Sequence, residues 1–388
     1  MSEPTASANL QPADLEPDWL DRAAGLAPGN EIIALRRGRP EFFGGAETCR
    51  PAVLAPKDEG GLSKGLRAAL AHRMACQSED RALAAQYRAL LTAAGPTADE
   101  TAIADGAEPA ALSAPLDALV RHADLITLDP GSANAADIHR LAAAGFSEQQ
   151  IVALSELIGF LNFETRVAHA LRLIEDARQK SGAVAEPRPP VDPAPAGRDP
   201  AFRLKPLTWI PHITPIEFEA ATPEQLDAMQ VTPSSGKVSP YVLTLVHDPE
   251  SYLARTELFN AIMYVPDGLR LQDRELGALV ASMHNGCAFC SFIHAGRQSG
   301  YAKSTATIHA LYTGREDRLG PRDAAIVDFA RRLSATPPTA GPEHLAALYA
   351  HGFGSFEVID LVHAIAIFGW ANRLMHVLGH SVPTESLQ

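Results

Sequence analysis

In "NGCAFCSFIH", residues 285–294, Cys287 and Cys290 stand three apart and His294 follows four later. On a helix these spacings put all three side chains along one face, so both thiols can meet one imidazole. The residue types suit thiolate chemistry, because a thiolate is the nucleophile and an imidazole can take its proton. Two local effects favour different thiols. Asn285 and Gly286 suit a helix start, and a thiol in the first turn is held down by the positive end of the helix dipole, which favours Cys287. The imidazole one turn away favours Cys290, and position alone leaves the choice open. Glu275 lies twelve residues before Cys287. In one unbroken helix it would stand about 18 Å away and about 120° round, so it reaches the thiols only if "HNG" (284–286) breaks the helix. Folded back, it would relay a proton; otherwise it is an ordinary solvated helix residue.

The elements that must position these residues read as helices. "LSKGLRAALAHRMACQSEDRALAAQYRALLTAAG" from Leu62, "PRDAAIVDFARRLSA" from Pro321 and "PEHLAALYAHG" from Pro342 carry apolar residues at three- and four-residue spacing, with proline at first turns and glycine at ends. "EIIALR" (31–36) and "YVLTLV" (241–246) are possible short strands, with a helical reading open for both. The fold class expected is all-α.

The chain also says one pattern twice. "GFSEQQIVALSELIGFLNFETRVAH" from Gly145 aligns with "GFGSFEVIDLVHAIAIFGWANRLMH" from Gly352 at an offset of 207, which carried backwards sets Arg67 on Arg274 and Gly61 on Gly268. Between the copies, residues 181–200 ("SGAVAEPRPPVDPAPAGRDP") are too rich in proline for helix or sheet and suit a semi-extended spacer. The expected organisation is a first domain over 1–180, a linker over 181–200 and a second domain over 201–388, each half a helical bundle with its own apolar seam. At this offset Cys287, Cys290, His294 and Glu275 fall on Asp80, Leu83, Tyr87 and Ala68. The first copy has lost every polar member of the set. Cys49 and Cys76 sit elsewhere and read as small buried hydrophobes. The first half then serves as a structural partner where a homo-oligomer would place a second subunit.

Composition bounds the rest. The chain has 388 residues, 46% hydrophobic, with 33 basic and 46 acidic residues for a net charge of -13. That balance repels phosphate backbones and anionic membranes, so neither nucleic acid nor a membrane is an expected partner. The N-terminus lacks the basic and apolar regions of a secretory signal, and "VIDLVHAIAIFGW" from Val358 is broken by Asp360 and His363 and reads as too short to span a bilayer. A soluble, cytoplasmic protein is expected, and four cysteines make no disulfide scaffold.

Glu275, then twelve residues to "CAFC", then His294, resembles the motif of the AhpD-like alkylhydroperoxidases in the carboxymuconolactone decarboxylase superfamily, as do "LFNAIMY" upstream and "GWANRLMH" downstream. The resemblance covers about residues 205–380, and the first half more weakly. It implies an all-α fold and thiol-dependent reduction of organic hydroperoxides. It also implies that Cys290 attacks the peroxide, Cys287 resolves the sulfenic acid into a disulfide, His294 acts as base and Glu275 relays protons. Phe289 departs from members that carry a histidine between the cysteines, which leaves His294 as the imidazole nearest the pair. No fingerprint for flavin, haem or nicotinamide is present, so no cofactor is expected and an external dithiol or reductase must supply electrons. The family tends to assemble, so a homo-oligomer is expected.

Three rivals remain. Zinc at His284, Cys287, Cys290 and His294 would need four ligands from one ten-residue segment to surround a metal, which geometry disfavours, and no metal is expected. A decarboxylase or lactone-processing enzyme has no need of the CxxC. A non-catalytic redox-sensing protein would use the pair only to switch an interface. Arg166, His169, Asn372, Arg373 and His376 read as caps or buried polar pairs between helices, and Trp209 and Trp370 as core or interface residues.

Overall fold

Helices begin where the sequence supplies caps. Ser63 Oγ accepts from the Leu66 amide at 3.0 Å, Asp80 Oδ1 from Leu83 at 3.0 Å, and Ser147 and Gln150 bond each other's backbones in a reciprocal box. In the computed structural model, which describes residues 15–188, 197, 204–232, 236 and 238–387, the first series of helices is α1 (Trp19–Ala23), α2 (Glu31–Arg37), α3 (Pro40–Leu54), α4 (Lys64–Gln77), α5 (Arg81–Ala94), α6 (Ala98–Ala104), α7 (Ala114–Leu128), α8 (Ala135–Ala143) and α9 (Glu148–Ser181). The second is α10 (Pro223–Ala228), α11 (Pro240–Leu245), α12 (Pro249–Tyr264), α13 (Leu271–His284), α14 (Ala288–Ala302), α15 (Ala306–Tyr312), α16 (Pro321–Ser334), α17 (Pro342–Ala350) and α18 (Ser355–Val377). The protein is all-α. From α4 onward each helix starts again about 207 residues later, and α4 and α13 agree at both ends (271 − 64 and 284 − 77).

Both segments read as possible strands are helical. Asn30 caps "EIIALR" by accepting from Ile32 at 2.8 Å. Ser239 caps "YVLTLV" with Pro240 at the first helical position, where its missing N–H costs nothing. Among the described residues the strands are instead β1 (Leu207–Pro211) and β2 (Gly379–Pro383), an antiparallel ribbon with Trp209 opposite Ser381. Of the expected linker, residues 189–196 and 198–200 lie outside the described residues, as do residues 1–14 of the N-terminal segment. The linker's first residues are docked: Ser355 N donates to Ala185 O at 2.7 Å and Arg188 N to Gly352 O at 3.0 Å.

One hydrophobic core runs through both halves. Its centre is α9 against α18, the most extensive helix pair, and α3 packs on α12 across the same junction. Equivalent helices therefore meet one another, as at a two-fold interface between identical subunits. The long arginines act reciprocally. Arg166 of α9 donates from Nη2 to Ser334 O at 2.6 Å, beyond the end of α16's ladder. Arg373 of α18 donates to Ile126 O at 2.9 Å and Thr127 O at 3.0 Å at the end of α7. Each half thus caps a helix of the other. His169 and His376 lie on carbonyls across the junction, those of Ala340 and Gly131, at 2.8 and 3.4 Å. The reading of "VIDLVHAIAIFGW" as too short is corrected: it belongs to the 23-residue α18, long and apolar enough by length and composition to cross a membrane, with 94% of its most apolar window buried inside the protein.

Candidate active site

The α13–α14 hairpin builds the site. α13 stops at His284, and Gly286 turns the chain at φ +75°, a conformation that suits glycine. Cys287 then donates its amide to Ser282 O at 2.9 Å and stands as N-cap of α14, placing Cys290 in the first turn. The turn is also pressed against the first half: a Cβ on Gly286 would fall 2.9 Å from Gly131 Cα. The break at 284–286 runs α14 back along α13, and Glu275 Oε2 meets His294 Nδ1 at 2.5 Å. Both are buried, 1% and 5% exposed, and the edge of Phe368 closes on the imidazole with ring centroids 4.4 Å apart. An ionised Glu275 fixes the proton on Nδ1 and leaves Nε2 as the basic nitrogen.

Cys287 and Cys290 are free thiols, 1% and 5% exposed. The adjacent Cys287 thiol, with burial, pushes the Cys290 thiol well above the usual cysteine range, while a hydrogen bond from Asn372 and the charge of Arg255 act the other way. Cys290 is therefore protonated at rest near neutrality, and ionising it requires a proton acceptor. A hydrogen bond ties His294 to Glu275, and among the described residues none joins the imidazole or Glu275 to a thiol. The four residues singled out in the sequence thus form two contacts, carboxylate with imidazole and thiol with thiol, on one helical hairpin. His284 is exposed at the end of α13. Among the described residues no three His, Cys, Asp or Glu side chains are placed to hold a metal ion.

Several neighbours were not apparent from the motif. Asn372, read with Arg373 among the buried polar pairs between helices, makes such pairs from α18 to the end of α13 and also touches the motif: its Oδ1 accepts from Asn285 Nδ2 at 3.0 Å, its Nδ2 donates to Ser282 Oγ at 3.1 Å, and it reaches Cys290. Arg255 of α12 is buried, with Nε 3.6 Å from Glu156 Oε1 of α9. Trp370 Nε1 donates to Glu156 Oε2 at 2.7 Å. Burial drives the Glu156 carboxyl up to about 7. Tyr241 lies in the field of Arg255 and both cysteines, and burial pushes its hydroxyl up. The available signal was a charged residue inside an apolar helical run, as in "IVALSELIGFL" around Glu156. Trp209 packs edge-on to Tyr241 and donates to Met375 O at 2.7 Å, all within the second half, a core role. Outside the first turns of α14, a groove of about 470 Å³ is lined by Leu207, Met283, Ala288, Phe292 and Tyr312, with Lys205 at its edge.

The equivalent place in the first half is filled by a closed polar network. Tyr87, at the position of His294, donates to Glu164, which also accepts from Arg50 Nε and Nη2 at 3.1 and 2.7 Å. Asp80, at the position of Cys287, caps α5 and pairs with Arg172 at 2.7 Å. Leu83 is fully buried. Cys49 is buried, whereas Cys76, expected to be buried, is exposed beside His72, 3.7 Å from its Nε2.

Residues 249–332 match the carboxymuconolactone decarboxylase family. That segment carries Arg255, Glu275, Cys287, Cys290 and His294, so the resemblance read in the motif holds there. The chain is also 21% identical over 150 residues to the uncharacterized protein YdfG of Bacillus subtilis (strain 168), a match covering 38% of this chain and 95% of that protein. The match supports a function of the alkylhydroperoxidase-like or carboxymuconolactone decarboxylase-like type and is compatible with an enzyme.

Proposed function

We propose that the second half is a thiol-dependent peroxidase that reduces organic hydroperoxides. The observation that carries this reading is the free Cys287–Cys290 pair at the start of α14, thiol against thiol, beside an imidazole oriented by a buried carboxylate. Cys290 gives up its proton, and its thiolate attacks the terminal peroxide oxygen. The O–O bond breaks, the departing alkoxide takes a proton to leave as an alcohol, and Cys290 is left as a sulfenic acid. Cys287 then displaces water to form the disulfide, and an external dithiol returns two electrons and two protons. His294, with Nδ1 fixed by Glu275, is the base, and Glu275 holds its proton in place. The groove beside α14 offers the organic portion of the substrate an apolar surface. The half without the CxxC pair takes the place of a second subunit, and whole chains associate further into a homo-oligomer.

Single-turnover experiments with an organic hydroperoxide test the roles. Cys290→Ser abolishes peroxide consumption. Cys287→Ser permits one turnover and traps a sulfenic acid that dimedone labels on Cys290. Equal activity of the two variants would reverse the reading. A decarboxylase, the activity in the family's name, would run on Glu275 and His294 without the thiols and would survive replacement of both cysteines.

A further inference from the structure

Glu156 belongs to the half without the CxxC pair, yet its carboxylate faces Arg255, the cation whose charge reaches Cys290. We propose that Glu156 is a positioning residue for the thiol site: by pairing with Arg255 when ionised and releasing it when protonated, it sets how strongly that guanidinium stabilises the Cys290 thiolate. The purpose of this device rests on the thiol reading above; its test does not.

The geometry holds Glu156 to this place. Trp370 donates to its Oε2 at 2.7 Å and lies so close on α9 that a Cβ at Gly159, one turn after Glu156, would fall 2.1 Å from the indole Cδ1. The carboxylate is thereby fixed with Oε1 toward Arg255 Nε at 3.6 Å, beyond hydrogen-bond reach. Both atoms are buried without a hydrogen-bond partner. A desolvated carboxylate so incompletely paired is close in energy to its protonated form.

The surroundings leave Glu156 as the group that changes charge near neutrality. Asp248, at the start of α12, adds negative charge and raises Glu156 further. Tyr241 of α11, Tyr252 of α12 and Cys49 of α3 face Arg255. Burial pushes Tyr241 and Cys49 up, so they stay neutral. Glu164 and Arg50 also act on Cys49, and they pair with each other at 2.7 Å. On the thiol side, Cys290 feels Cys287, Asn372 and Arg255. Two anions, the Glu156 carboxylate and the Cys290 thiolate, therefore compete for one guanidinium, and their titrations are linked. Below the ionisation of Glu156 the full charge of Arg255 serves the thiolate; above it, part of that charge is cancelled. Through this carboxylate the half without the CxxC pair sets the reactivity of the half that carries it.

The test is the pH profile of Cys290 alkylation by iodoacetamide in the full chain carrying Cys287→Ser and Cys76→Ser, read by mass spectrometry. Adding Glu156→Gln, which keeps an acceptor for Trp370, lowers the apparent Cys290 pKa by about one unit and so speeds alkylation at pH 8 by about tenfold. With Arg255→Leu the Glu156→Gln effect disappears. The background protein alone shows a shoulder near pH 7 where Glu156 ionises. An unchanged profile in Glu156→Gln, or an effect that persists in Arg255→Leu, overturns the proposal. Should Glu156→Gln not fold, a profile in the background protein that fits one ionisation without the shoulder also overturns it. Alkylation consumes no peroxide, so failure here is distinct from failure of the peroxidase reading.

Discussion

Replacing Glu156 with glutamine reports directly on the charge state of the junction between the halves. The Glu156 carboxyl is raised from 4.5 to about 7, chiefly by burial. Between those values the folded protein keeps a proton that the unfolded chain has released, so stability falls as pH rises through this window. At about 1.4 kcal/mol per unit, a shift from 4.5 to about 7 corresponds to about 3 kcal/mol. Glutamine keeps the acceptor for Trp370 Nε1 and removes the titration. Urea unfolding followed by tryptophan fluorescence, run from pH 4.5 to pH 8, isolates the effect as the stability difference between Glu156→Gln and the parent. That difference moves by about 3 kcal/mol in favour of the variant across the range, mostly between about pH 5 and pH 7. A pH-independent difference would refute the argument that burial outweighs Arg255. Movement in the opposite direction would show that the Arg255 pair dominates and holds the carboxylate ionised.

Other outcomes follow from the same structure. His122 is buried with both ring nitrogens unpartnered, and burial lowers it to about 4. A depressed base contributes stability above its unfolded value of 6.5 and loses it as pH falls toward 4, so His122→Leu removes about 3 kcal/mol of acid sensitivity in the same unfolding series. Arg373→Met strands the Ile126 and Thr127 carbonyls across the junction while relieving a buried charge, for a net loss of about 2 kcal/mol in urea. Gly286→Ala places a Cβ at φ +75° against Gly131 and costs at least about 1 kcal/mol, with thermal unfolding as the measure. Glu275→Gln leaves His294 without its anionic partner and slows peroxide reduction by about 10²-fold in stopped flow.

The hairpin carrying Glu275, Cys287, Cys290 and His294 was legible because its chemistry and its turn lie within twenty residues of chain, and a glycine in "HNG" marks where two helices must fold together. The helix series was legible from caps, prolines and apolar spacing. β1 was not: "LTWIP" has five residues and a proline, and its partner lies at the far end of the half, so its pairing is a tertiary event. The placing of Arg255 and Asn372 near Cys290, and of Glu156 against Arg255, was missed because helices distant in sequence bring these residues together. Asn372 in particular sits beside Arg373, whose capping role was readable, yet the two side chains serve different neighbours. For Glu156 the cue was present, an ionisable residue amid continuous apolar sequence, but its partner could only be named once α9 and α12 were in place.

The most direct test of the central claim is a thiol count on the reduced protein carrying Cys76→Ser, before and after stopped-flow mixing with an organic hydroperoxide. Loss of two thiols per chain, far faster than the oxidation of free cysteine and reversed by a dithiol, is the result expected of a peroxidatic Cys287–Cys290 pair. Thiols that stay reduced while the hydroperoxide persists would contradict it.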